Sequence, residues 1–89
     1  MAGDQIAVHL SELEGWQVLN QRYLRKSYTF RDFGGALAFV NSVGRLAELE
    51  GHHPDIYLSW GKVEITLWTH KINGLSVSDF ILASKIDRL

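Results

Sequence analysis

The stretch DIYLSWGKVEITLWTH, residues 55–70, decides the fold. Successive residues of an extended chain face opposite sides. From Lys62 on, Val63, Ile65 and Leu67 therefore point one way, and Lys62, Glu64, Thr66, Trp68 and His70 point the other. Asp55–Ser59 is a second β-prone run, and only Trp60-Gly61 separates the two. The stretch reads as a hairpin with strands at 55–59 and 62–70. A two-residue turn also sets the register, with Ser59 opposite Lys62 and Tyr57 opposite Glu64. The same count places His53 opposite Trp68 and His70 diagonal to His53, roughly 7–8 Å away on one face.

Immediately upstream lies EGHHPD, residues 50–55, with two adjacent histidines against the chain's only proline. Pro54 disfavours helical geometry at His53 and pushes it to extended backbone. The helix before it, about residues 31–50, must therefore stop short of His53. Phe33, Ala36, Leu37, Val40, Val43 and Ala47 form its apolar stripe, widened by Phe39 and Leu46. That arc exceeds what one packing face needs, so its excess is expected to meet another subunit.

Further upstream, Trp16–Leu19 and Tyr23–Phe30 read as strands joined near Asn20-Gln21. In the second, Leu24, Lys26, Tyr28 and Phe30 alternate with a wetter face of Tyr23, Arg25, Ser27 and Thr29. A first helix is expected over about 4–13, capped by Asp4 and ended by Gly15. After a turn at Asn73-Gly74, a last helix runs over about 77–88. Ser76 is its N-cap and Asp79 stands at the capping-box position. Phe80, Ile81, Ala83, Ile86 and Leu89 form its apolar face. The order α-β-β-α-β-β-α implies one α+β domain over residues 1–89. Its four-stranded antiparallel sheet carries three helices on one face.

Eighty-nine residues leave no room for a second core. A core this small is marginal alone, and self-association is a common remedy. Nine basic and ten acidic residues give a formal charge of −1, which argues against a nucleic-acid binder. The chain has no cysteine, so disulfides and thiolate metal sites are impossible. The N-terminus lacks the apolar run of a signal peptide, and no stretch reaches the roughly 20 residues of a membrane span. A cytoplasmic location is the expectation.

Three readings of His52, His53 and His70 stay open on spacing alone. A metal site is disfavoured because adjacent histidines in extended chain diverge and no Cys or HExxH partner completes a set. Acid–base catalysis suits residues that titrate near neutral pH. Packing without chemistry is the third. His9 is read as a plain surface or partly buried residue of the first helix. No Gly-rich phosphate loop or nucleophile elbow is present.

Glu48-x-x-x-His52-His53-Pro54, followed by Trp60, His70 and Asp79, stands in the order and separations of the pterin-4a-carbinolamine dehydratases. LEGW (13–16) and YTFRDFGGALAFVNSV (28–43) resemble that family's helix–strand and strand–helix junctions. The resemblance covers nearly the whole chain. It implies a hydro-lyase that removes water from 4a-hydroxytetrahydropterin to give quinonoid dihydropterin, in tetrahydrobiopterin recycling, without metal or organic cofactor. It implies catalytic roles for His52, His53 and His70, with His53 leading. Ligand contacts then fall on His52, His53, Pro54, Thr69, His70, Lys71 and Ile72. Glu48 and Asp79 are supporting acids, though Asp79 at N3 caps its helix regardless. Trp60 is expected to pack or shape its turn. Trp68, on the histidine face, is the candidate to stack on a flat pterin. The resemblance also implies a homodimer or homotetramer. A rival reading is a non-catalytic assembly module of the same fold, since vertebrate relatives double as dimerisation cofactors of a transcription factor.

Overall fold

In the computed structural model, which describes residues 1–89, the elements follow the expected order. They are α1 (Gly3–Leu10), β1 (Gln17–Leu19), β2 (Tyr23–Thr29), α2 (Phe33–Glu50), β3 (Asp55–Ser59), β4 (Lys62–Leu67) and α3 (Val77–Ile86). A single 3-10 turn, His70–Ile72, lies between β4 and α3. The strands form one antiparallel sheet in the order β1-β2-β4-β3.

The hairpin register is the one the two-residue turn dictates: Ser59 pairs with Lys62, Tyr57 with Glu64 and Asp55 with Thr66. Gly61 makes this possible, because a Cβ there would lie 3.0 Å from the Phe30 carbonyl. Trp60, at the tip, is 69% exposed and shapes the turn without packing. Val63, Ile65 and Leu67 of β4 are buried with Leu24 of β2, and the helices cover this face. Burial of these side chains, with Val43, Leu75, Leu82 and Ile86, supplies most of the stabilisation, about 1.5–3 kcal/mol for each. No helix is long and apolar enough to cross a membrane.

Several element boundaries differ from the sequence expectation. The first helix is capped at Ala2, not Asp4, which sits in its first turn, and it ends at Leu10. The chain then turns through residues 11–15, with Gly15 at φ +78°. Asp32 caps α2 by accepting from the Gly35 N–H. The strand expected to reach His70 stops at Leu67. Pro54 has no N–H to continue the ladder, and Thr69 and Gly74 exchange backbone hydrogen bonds that pull the chain into a closed loop. On α3, which ends at Ile86 and not near residue 88, Leu82 is buried while Ile81 is exposed, and Leu89 lies exposed beyond the helix.

The apolar arc of α2 is wider than its packing face. Ala36, Val43 and Ala47 are buried, but Phe33 and Leu37 remain 45% and 41% exposed.

Candidate active site

The end of α2 places the first histidine. Gly51 takes φ +63°, and the His52 N–H donates to the Ala47 carbonyl, closing the helix in a Schellman-type cap. A side chain at Gly51 would meet no steric clash, so the left-handed backbone itself is what favours glycine here. His52 thus leaves the helix at a fixed angle, and Pro54 holds His53 extended behind it.

The two rings separate, as extended neighbours must, and each meets its own carboxylate. His52 Nε2 lies 2.6 Å from Asp79 Oδ1, and His53 Nε2 lies 2.5 Å from Glu48 Oε2. Their settings are opposite. Asp79 is fully buried, whereas the Glu48 and His53 side chains are 76% and 61% exposed. The sequence left open whether Asp79 caps α3 or faces the histidines; it does both. Its Oδ2 accepts from the Ser76 N–H at 2.9 Å and the Thr69 hydroxyl at 2.8 Å, while Oδ1 faces His52. Thr69 also contacts the Ser76 hydroxyl at 2.7 Å, so no buried polar atom of this cluster lacks a partner.

The third histidine arrives by the loop, not by strand pairing. The 69–74 loop turns at Asn73, in left-handed backbone, and sets His70 against Trp68 with ring centroids 4.2 Å apart. The Trp68 indole N–H donates to Asp55 at 3.1 Å, and its ring meets Tyr23 edge-on at 5.4 Å. Gly51, His52, His53, Trp68, Thr69 and His70 together line one hollow of about 190 Å³. All three histidines therefore border a single space. Pro54, Lys71 and Ile72 do not line it: Pro54 is half-buried behind His53, and Lys71 and Ile72 are exposed on the loop. Tyr23, the edge-on neighbour of Trp68, was not singled out from sequence. Its signal was the alternation of β2, which puts it on the same face as Arg25.

No three His, Asp or Glu side chains converge as metal ligands. The arrangement offers two carboxylate-backed imidazoles, one imidazole tilted by 43° against an indole, and the indole itself as an aromatic wall. Such a hollow can grip a planar ring and exchange protons at its edge.

The family model for pterin 4 alpha carbinolamine dehydratase matches residues 1–89. The chain belongs to this family. A relative from Alkaliphilus metalliredigens that carries the dehydratase name is 52% identical over 89 residues, covering 99% of this chain and 80% of its own. A Brucella melitensis structure described as a transcriptional coactivator/pterin dehydratase superposes with a TM-score of 0.93 at 30% identity, covering 99% of this chain and 95% of that one. A pterin dehydratase-like protein described as a RuBisCO assembly factor of the alpha-carboxysome shares the fold, with a TM-score of 0.73 at 23% identity over 84% and 88% of the two chains. In this chain of the family, His52, His53 and His70 border the hollow just described, and Asp79 and Glu48 back two of them.

Proposed function

We propose that the protein dehydrates 4a-hydroxytetrahydropterins by histidine acid–base catalysis, as a self-associating enzyme of pterin recycling. One observation carries the reading: three imidazoles border one hollow beside an indole, and two of them are backed by carboxylates.

The reaction removes a proton from a ring nitrogen and delivers one to the 4a hydroxyl. The C4a–O bond breaks with its electron pair leaving on oxygen as water, and the nitrogen lone pair closes a C=N bond. Protons balance, so no oxidant or reductant is needed. With Nε2 of His52 and His53 committed to Asp79 and Glu48, each ring has Nδ1 left for the substrate. His53, exposed and beside solvent, is the lead acid–base group and can reload its proton from water. His52 is held by a buried carboxylate that stabilises its protonated form as a proton arrives. His70 and Trp68 hold the bicyclic ring, and His70 can share the second proton. Thr69 keeps Asp79 aimed. In this reading Pro54 contributes by fixing His53, and Lys71 and Ile72 contribute backbone at the loop.

The alternative is an assembly module without catalysis, which the exposed arc of α2 would serve. Following 4a-hydroxytetrahydropterin decay with and without protein separates the two. Catalysis predicts acceleration by wild type and a roughly 10²–10⁴-fold loss in His53→Ala. No acceleration, or a His53→Ala protein equal to wild type, ends the catalytic reading.

A further inference from the structure

Trp68 borders two hollows. One is the histidine hollow; the other is a trough of about 350 Å³ on the open, helix-free face of the sheet. Strand pairing builds the trough. Arg25 of β2, Thr66 of β4 and Asp55 of β3 lie in one row across three strands, and Tyr57 and Glu64 form the next pair. Arg25 lies along the floor, its Nε donating to the Thr66 hydroxyl at 3.0 Å. Tyr23 and Trp68 close one end, and Tyr57, 58% exposed, stands at the other.

We propose that this trough is a second subsite that takes the substituent carried by the pterin ring and selects a planar, uncharged aromatic tail, such as an aryl amide. The proposal rests on the reading of the histidine hollow as the place of the bicyclic ring. That hollow has the space of a small bicyclic system, so a bulky substituent must leave across a wall, and Trp68 is the wall shared with the larger of the two spaces that adjoin it, the other lying across Gly51 and His52.

The trough's chemistry then selects among tails. Three aromatic rings, Tyr23, Tyr57 and Trp68, offer faces and edges to a flat group, which a short hydroxyalkyl chain cannot use. Asp55 and Glu64 set two carboxylates against the single guanidinium of Arg25, so a phosphate or a bare carboxylate inside the trough meets net repulsion. Both acids already have partners: Asp55 accepts from the Trp68 indole and Glu64 lies 3.7 Å from Arg25 Nε. The outer N–H groups of Arg25 remain to donate to an amide carbonyl.

The test is calorimetric titration of the whole protein with stable 7,8-dihydropterins that differ only at position 6: methyl, dihydroxyalkyl, phosphorylated alkyl and aryl amide. The aryl amide is expected to bind roughly three- to tenfold more tightly than the methyl compound. Tyr57→Ala should bring that ratio to about one, and Tyr57→Phe should keep it, because the ring and not the hydroxyl makes the contact. Tyr57 is exposed on the sheet surface, so both variants are expected to fold, and circular dichroism checks this. Equal affinity for all tails, preference for the hydroxylated or phosphorylated tail, or a ratio indifferent to Tyr57→Ala overturns the subsite. If the methyl compound does not bind and its carbinolamine is not dehydrated, the underlying reading of the histidine hollow fails instead.

Discussion

Asp79 faces His52 from the first turn of α3, 2.6 Å from oxygen to ring nitrogen, with the carboxylate shut off from solvent. One oxygen caps the helix and the other holds the imidazole, so a single side chain ties the stability of α3 to the orientation of His52. Asp79→Asn keeps the shape and can still accept from Ser76 and Thr69, but it loses the charge that stabilises protonated His52. The expected outcome is a kcat about 10²-fold lower with the fold intact. Asp79→Ala strips partners from buried donors as well and should cost about 2 kcal/mol of stability. Stopped-flow dehydration assays and urea denaturation separate the two effects. An Asp79→Asn enzyme with wild-type turnover would reduce Asp79 to a helix cap.

Glu48 and His53 make the opposite kind of pair. Both side chains are largely exposed, and pairs of this kind contribute no more than about 1 kcal/mol. Glu48→Gln should therefore leave the denaturation midpoint almost unchanged. If Glu48 orients His53 for proton transfer, the same variant lowers kcat and leaves substrate affinity nearly unchanged. An unchanged kcat would make Glu48 a solvated helix charge.

The hairpin was legible because the Trp60-Gly61 turn is short, and short turns leave one register. The convergence of His53 and His70 was also legible, though for an incomplete reason. The ladder ends at Asp55–Thr66 and Leu24–Leu67, and His70 reaches the hollow through a loop closed by Thr69 and Gly74. Nothing in local periodicity announces such a closure. Asp79 carried a capping signature in its local sequence, and only the family resemblance pointed it toward the histidines, because its contact with His52 spans 27 residues of chain. The network around Asp87 was invisible for the same reason. Trp16, Lys26 and Tyr28 all donate to it across 59 to 71 residues of chain, a separation no short pattern encodes.

Phe33 and Leu37 stand four residues apart on α2, so they are neighbours on one helical face, and both are exposed. A dimer or tetramer that uses this face would cover them. Leu37→Glu places a charge there while keeping a good helix former. Sedimentation velocity should show wild type as an oligomer and Leu37→Glu as a lighter species with unchanged helicity. A wild-type monomer, or an oligomer untouched by Leu37→Glu, would move the contact elsewhere.

Tyr28 sets an alkaline limit on stability. Its hydroxyl donates to Asp87 at 2.6 Å, beneath Lys26, which also donates to Asp87 at 2.8 Å. Burial first, and the Asp87 carboxylate second, hold the phenol well above its ordinary value near 10. Below that value both folded and unfolded chains keep the proton, so the stabilisation is present in full. Above it the unfolded chain loses the proton while the folded chain retains it. The native state then binds more protons, and stability falls as pH rises. Tyr28→Phe removes the titrating group and one hydrogen bond to a charged acceptor. At pH 8 the variant should be less stable by about 1.5–3 kcal/mol. Toward pH 11 the gap should narrow, because only the wild type carries this linkage, and solvent screening at this half-exposed site keeps the slope well below the roughly 1.4 kcal/mol per pH unit of a fully shielded group. Urea denaturation of both proteins at pH 8, 10 and 11 measures the difference, and the other tyrosines and lysines cancel in it. A gap that stays constant across that range would mean the Tyr28 phenol ionises alike in the folded and unfolded chains, and that Asp87 does not hold its proton.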